Sequence, residues 1–387
     1  MFLNFTAQLR TEVETIKSAL DAHDSIRNLV YSRQLQPKET ENAITPTAAA
    51  SDCEQAIVNI RQQAPSKSTW QVYDQCAAIT RIYAVYESFV DELATDYIRL
   101  LPSLYPKYDS LHENVRKQHR LGIAQILLKL GKDGPYKHLG ENQIIGDLAH
   151  GLGGGDNYKL LPDAFLIYPQ NYRAGVVSRI FCDLGFEDCW GWVEQHPPLV
   201  SFMGTSRDST ETAATMLHDL VEYRNQAAHT SVGETVAVDE IKSIADCVVL
   251  ICEALAQFIM MQVIRRREEL GEVSYLGDVI HNFSNQIVGV RTRAGSLAIG
   301  DELIVFYKYA CYKVGVCSIR TGADPHLRLD VADDQEIGAL LSLPARKGAR
   351  LLRIKSTLQS HEQTPPEEPI SPDVEPMQEL AAEAESE

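Results

Sequence analysis

The apolar periodicity of this chain changes once, between residues 270 and 272, and any architecture it adopts must respect that break. Before it, apolar side chains recur every three to four residues. They do so at Phe5, Leu9, Val13, Ile16 and Leu20, and again along Tyr73, Cys76, Ile79, Tyr83, Tyr86, Val90, Leu93 and Tyr97. That is the spacing of one face of a helix. After the break, Val273 to His281, Gln286 to Arg291 and Leu297 to Val305 alternate as half-buried strands do, with Gly300-Asp301 as a tight turn. The expectation is a multi-domain chain, all-α and then β: a helical bundle over 1–270, with an N-terminal helical extension over 1–65, then a small β-barrel over 271–357.

Within the first part, helices are expected over 2–31, 52–63, 70–101 (ended by Pro102), 115–130, 143–148, 172–184, 209–223 and 238–270. Gln34 to Ser51 reads as a polar loop, and Pro197-Pro198 as a break. The glycine-rich His150 to Asp156 reads as a structural loop, since no Gly-Lys-Ser/Thr follows to make a phosphate loop. Ile244 to Ile264 is the longest apolar run. It carries Asp246, Glu253, Gln257 and Gln262, which argues for a core or dimer-forming helix and against a membrane span. The eight cysteines form no Cys-x-x-Cys pair, and Met1-Phe2-Leu3-Asn4 does not open a signal peptide. Reduced, buried thiols and a cytoplasmic location are expected, with no metal and no cofactor.

Reactive polar groups concentrate at one place in the helical part. Glu222-Tyr223-Arg224-Asn225-Gln226-Ala227-Ala228-His229 puts an arginine, an asparagine and a histidine inside six residues. An arginine fork suits phosphate oxygens, and a histidine moves protons near neutral pH. Together they are sufficient to cleave RNA without a metal. His229 would act on the 2′-hydroxyl or the leaving oxygen, while Arg224 holds the charge that builds on the phosphate. The products would be a 2′,3′-cyclic phosphate and a 5′-hydroxyl. Asn225 and His229 share a helix face, whereas Arg224 and His229, five apart, diverge on an ideal helix. Either the helix is irregular there or a second subunit completes the site. The structural alternative pairs Arg224 with Glu222.

The order Arg-Asn-x-x-x-His resembles the signature of the HEPN superfamily, all-helical domains that often cleave RNA without metal. Ala84-Val85-Tyr86-Glu87-Ser88-Phe89-Val90, Gly153 to Tyr158 and Gln170-Asn171-Tyr172-Arg173 resemble the RiboL-PSP-type branch, and the likeness spans about residues 70 to 265. It implies a homodimer whose two motifs share a cleft. It also implies an RNA substrate (tRNA, mRNA or rRNA) and a role as a toxin or anti-phage effector, with an antitoxin, a phage trigger or a translation component as partner. Arg224, Asn225 and His229 are the expected catalytic residues. Glu87 is a further candidate to orient them, or else an ordinary exposed helical glutamate.

The β part resembles the second domain of translation factors such as elongation factor Tu. The matching segments are Gly277 to Phe283, Leu297 to Leu303 and Ile337 to Leu340. Such a barrel is expected to bind rather than catalyse. Arg346, Lys347, Arg350, Arg353 and Lys355 are its densest basic cluster, read either as an RNA-binding strip or as a charged edge strand. The net charge is −17, and His361 to Glu387 holds nine acidic residues and no Lys or Arg, which leaves the rest near −8. Broad capture of nucleic acid by charge is therefore not expected. The segment 358–387 reads as a disordered acidic tail. Two other functions fit the same sequence: a non-catalytic dimerisation scaffold, and a translation-linked RNA-binding regulator acting through the barrel.

Overall fold

The computed structural model describes residues 2–32, 48–131, 134, 136–168, 170–204, 211–228, 235–284 and 286–355. His229, most of the polar segment 34–51 and the acidic tail lie outside the described residues. The described helices are α1 (Phe2–Tyr31), α2 (Ala48–Gln63), α3 (Lys67–Leu104), α4 (Glu113–Lys129), α5 (Glu141–Leu152), α6 (Ala174–Asp183), α7 (Cys189–Glu194), α8 (Pro197–Met203), α9 (Ala213–Ala228) and α10 (Val238–Glu269).

Two long helices organise the bundle. α3 buries Ile79, Ile82, Tyr86, Val90, Leu93 and Ile98 at helical spacing. α10 buries residues on most of its circumference, from Ile241 to Ile264. An all-round apolar helix must be enclosed, and α10 is, by α1, α3, α7, α8 and α9. By length and composition α10 could cross a membrane, yet 78% of its most apolar stretch is already covered by the rest of the chain. α1 is tied along α10 by Arg10–Glu253 at 2.5 Å and Lys17–Asp246 at 2.7 Å. It is closed against α3 by Arg27, which is 2% exposed and paired with Asp24 and Asp74.

Several boundaries differ from expectation for identifiable reasons. Ser66 caps α3 by accepting the Thr69 N–H at 3.1 Å, so the helix starts three residues early. Pro102 does not end it. The proline sits in the last turn and the helix closes at Leu104, with the Tyr105 N–H donating to Leu101 O at 2.8 Å. Pro197-Pro198 starts α8 rather than breaking the chain, because proline fits the first helical turn where no N–H is needed. α5 runs on through His150 to Leu152, and His150 Nε2 then bonds Asp156 O at 2.8 Å to hold the glycine-rich turn.

The β part is a closed six-stranded antiparallel barrel. Its strands are β1 (Val273–Asn282), β2 (Ile287–Thr292), β4 (Glu302–Tyr307), β5 (Ala310–Thr321), β8 (Glu336–Leu341) and β9 (Arg350–Ile354), in the order β4-β9-β1-β2-β8-β5 and back to β4. β6 (Asp324–His326) extends the β5 edge. β3 (Gly295–Ala298) and β7 (Arg328–Val331) form a separate ribbon. Neither β6 nor β7 is legible in the sequence, being three and four residues long. The expected Gly-Asp turn is present: Gly300 has φ +90°, and Asp301 Oδ2 accepts the Ala298 N–H at 2.7 Å.

The barrel rests on α10 and α7. The Cys311 N–H donates to Gln257 Oε1 at 3.2 Å, Trp192 Nε1 donates to Lys308 O at 3.3 Å, and Arg350 pairs with Glu268. Val273, Ile304, Cys311 and Leu352 of the barrel join the helical core itself.

Candidate active site

Three segments far apart in sequence meet around Tyr83: the middle of α3, the residues 171–173 before α6, and the last turn of α9. Tyr83, Glu87 and Asp91 are four residues apart and so line one face of α3. The Tyr83 hydroxyl is the hub. It accepts the Tyr172 N–H at 3.0 Å and donates to Glu87 Oε1 at 3.1 Å, with Asn171 Oδ1 a second acceptor at 3.4 Å. Asn171 Nδ2 donates to Asn225 Oδ1 at 2.9 Å, and Arg224 Nη1 reaches the same oxygen at 3.4 Å. The Arg224 guanidinium lies over the Tyr83 ring, 5.2 Å from its centre.

This arrangement shows which pairings form among those that sequence left open. Glu222 does not pair with Arg224; it pairs with Arg173. Tyr223 turns away to donate to Glu240 Oε1 at 2.9 Å on α10. Arg224 is thus half-buried, held by an aromatic face and a neutral amide, with no carboxylate at ion-pair distance among the described residues. Asn225 spends its oxygen on Asn171 and Arg224, so it positions Arg224. Glu87 acts one step removed, through Tyr83. Burial, with Glu87 adding to it, pushes the Tyr83 phenol up to about 12 against the opposing pull of the Tyr172 N–H and Arg224. The phenol therefore stays protonated and keeps donating at neutral pH.

Tyr172 carries the network onward. Its side chain is buried, and its hydroxyl donates to Asp91 Oδ1 at 2.6 Å. Desolvation pushes Asp91 up to about 6; the Tyr172 hydroxyl opposes this, and Glu87 and Glu92 add to it. Below about pH 4 the acid is protonated in folded and unfolded chain alike. Between there and about 6 only the folded chain keeps the proton, so this linkage favours the fold at low pH and is lost as pH rises through 6. Asp91→Asn is expected to gain stability over the parent at pH 7 but not at pH 4. Thermal melts at both values check this, and an equal shift at the two would refute it.

The basic cluster of the barrel divides. Arg350 is committed to Glu268 and stacks on Tyr275 and Phe306, with ring centres at 5.3 and 5.6 Å. Arg353 holds Asp301 at 2.5 Å and Ser296 O at 2.8 Å. Both are structural pins of the barrel. Arg346 and Lys347 are exposed and form no ion pair among the described residues. Sequence reasoning passed over Tyr83, Asn171 and Asp91. Tyr83 sits one turn before Glu87 on the same face, which is the signal that could have found it.

The model for the RiboL-PSP-HEPN family matches residues 50–261. The chain belongs to the RiboL-PSP-HEPN family. The RiboL-PSP-HEPN stretch contains every member of the network, from Tyr83 to Asn225, and it excludes α1 and the barrel. RiboL-PSP-HEPN membership carries a nuclease or other RNA-related function as its coarse class. No curated protein matches the chain.

Proposed function

We propose that this RiboL-PSP-HEPN protein is a metal-independent endoribonuclease, in which Arg224 binds the scissile phosphate and His229 transfers the proton. The observation that carries the reading is the state of Arg224. A half-buried guanidinium usually has a carboxylate partner, because an isolated charge is costly to desolvate. Here the nearest carboxylate in sequence, Glu222, is taken by Arg173, and Arg224 is steadied by Tyr83 and Asn225 instead. Its remaining donors are left for an anion, and a phosphodiester fits their fork. The scaffold alternative requires Arg224 to be a spent ion-pair member, which this arrangement does not favour.

His229 follows directly on Ala228, the last residue of α9. As acid or base it takes the 2′-hydroxyl proton or returns one to the leaving 5′ oxygen. Attack by the 2′-oxygen on phosphorus breaks the P–O5′ bond and leaves a 2′,3′-cyclic phosphate and a 5′-hydroxyl. A homodimer with two motifs at a common cleft would bring together an arginine and a histidine whose five-residue spacing diverges on an ideal helix. A toxin or anti-phage role, and an antitoxin, phage trigger or translation component as partner, belong to the same reading.

The test is chemical. Purified chain incubated with total RNA in EDTA should yield fragments with 5′-hydroxyl and 2′,3′-cyclic ends. A substrate carrying a single 2′-deoxy residue at a mapped site should resist cutting there. Cutting at the 2′-deoxy residue, or 5′-phosphate products, would overturn the reading.

A further inference from the structure

Asp91 belongs to two places at once. It takes the Tyr172 hydroxyl that ties it to Tyr83, and it also lines a cavity of about 720 Å³ between α3 and residues 136–166. That volume is in the range of small-molecule and nucleotide pockets. Arg99, Tyr136, Leu139, Lys159 and Leu160 share the lining. Within it, His138 Nε2 and Asp163 Oδ1 face each other at 3.6 Å, so Asp163 has a partner of its own. Arg99 has only a loose partner, Asp96 at 3.8 Å, and Lys159 has no ion pair among the described residues. The cavity thus offers two accessible cations, an aromatic ring with aliphatic walls, and a carboxylate that hydrogen-bonds on one side only.

That combination matches a nucleotide piece by piece. Cations take the phosphate, the ring and aliphatic wall take the base, and a carboxylate accepts N–H groups from the base edge. Guanine presents two adjacent donors to a carboxylate, and cytosine and adenine present an amino group. Uracil offers one N–H between two carbonyls and fits worst. The cavity is also placed on the path of a strand. Tyr83 and Asp91 are eight residues apart, about 12 Å along α3, so the chain of a few nucleotides that reaches Arg224 also reaches Asp91.

We infer that this cavity binds a nucleotide of the RNA strand crossing the Arg224 site, with Arg99 and Lys159 on its phosphate and Asp91 reading its base edge in favour of guanine. The strand's passage by Arg224 rests on the proposed ribonuclease; the nucleotide chemistry of the cavity does not.

The experiment uses the full chain carrying Arg224→Ala, to prevent cutting, and fluorescence anisotropy with labelled oligomers UUGU and UUUU. Expected results are tighter binding of UUGU, and a loss of at least about tenfold for both oligomers on adding Lys159→Glu or Arg99→Glu. Adding Asp91→Asn should bring the UUGU-to-UUUU ratio close to one while UUUU binding is kept, a change that mere loosening of the fold would not give. Both cations are exposed, so these variants should melt with the parent. Affinities untouched by Lys159→Glu and Arg99→Glu, or no binding by the parent, would overturn the inference. Free 5′-GMP that displaces UUGU at the affinity of the oligomer itself would assign the cavity to a free nucleotide and overturn the strand assignment. Cavity-dependent binding with no RNA cleavage by the wild-type chain would sink the ribonuclease reading alone. Cleavage whose rate and positions ignore the cavity variants would sink this inference alone.

Discussion

Arg224→Ala is expected to slow RNA cleavage by about 10²–10³-fold, the usual loss when one preorganised group that stabilises transition-state charge is removed. His229→Ala should cost a similar factor, about 10²–10⁴-fold for a lost general acid or base. The two effects should be far from additive, because each group works only on a phosphate the other also engages. Stability should barely move in Arg224→Ala. The guanidinium makes a cation–π contact with Tyr83 and one long hydrogen bond to Asn225, about 1 kcal/mol in all. A large drop in activity with a near-normal melt separates chemistry from folding. The readouts are initial rates on a defined RNA, new 5′-hydroxyl ends in cells expressing each variant, and circular dichroism. Wild-type rates in both variants would remove Arg224 and His229 from the chemistry and with them the mechanism proposed above.

The second large effect is structural. Gly277→Val should destabilise the barrel by about 3 kcal/mol or more, from backbone strain plus overpacking. Gly277 lies in β1 at φ +153°, where the pairing with β9 slips register. A Cβ there would stand 2.2 Å from Arg291 O and 2.9 Å from Thr292 Cα, both backbone atoms of β2 that cannot give way alone. For a unit of this size the loss corresponds to a fall in melting temperature of the order of 10 °C or more. Gly300→Ala provides the comparison: its φ of +90° brings strain, yet nothing lies within 4 Å of the added carbon, so its loss should be smaller. Calorimetry decides it, and a Gly277→Val barrel that melts with the parent would contradict the close approach of β1 to β2.

The break near residue 271 was legible because it is a change of period over dozens of residues, and period is what burial on one face imposes on a sequence. The long helices and the six barrel strands were legible for the same reason. Three features were not. Pro102 reads as a stop, but a proline in the last turn deletes a single hydrogen bond, and the buried Leu101 and Leu104 hold the turn closed. α7 and α8, at six and seven residues, are too short to show a periodicity, and they exist because Trp192 and Leu199 pack on α10 and its neighbours. The candidate site was half legible. The run 222–229 announced Arg224 and Asn225 through their chemistry, but what orients them is a tertiary meeting. Asn171 is 54 residues from Asn225, and Tyr83 is 88 from Asn171. Nor could spacing tell which partner Glu222 would choose, since Arg173 and Arg224 differ only in where the fold brings them. The same holds for Arg350 and Arg353, which look like a nucleic-acid strip in sequence and are spent on Glu268 and Asp301 in the structure.

α10 has one more property. Its first turn is joined to the motif helix through Glu240 and Tyr223, and its last turn to the barrel through Glu268 and Arg350. The twenty-eight residue steps from Glu240 to Glu268 run along a continuous helix and span about 42 Å. The helix is therefore a ruler. It sets a fixed offset between the Tyr223 end of the motif helix and the Arg350 contact of the barrel. On the proposed ribonuclease reading, and at about 3.4 Å per stacked nucleotide, an RNA touching both ends would be measured at roughly a dozen nucleotides. The barrel would then choose the cut by distance from a feature it holds, with no need to read the bases at the cut itself.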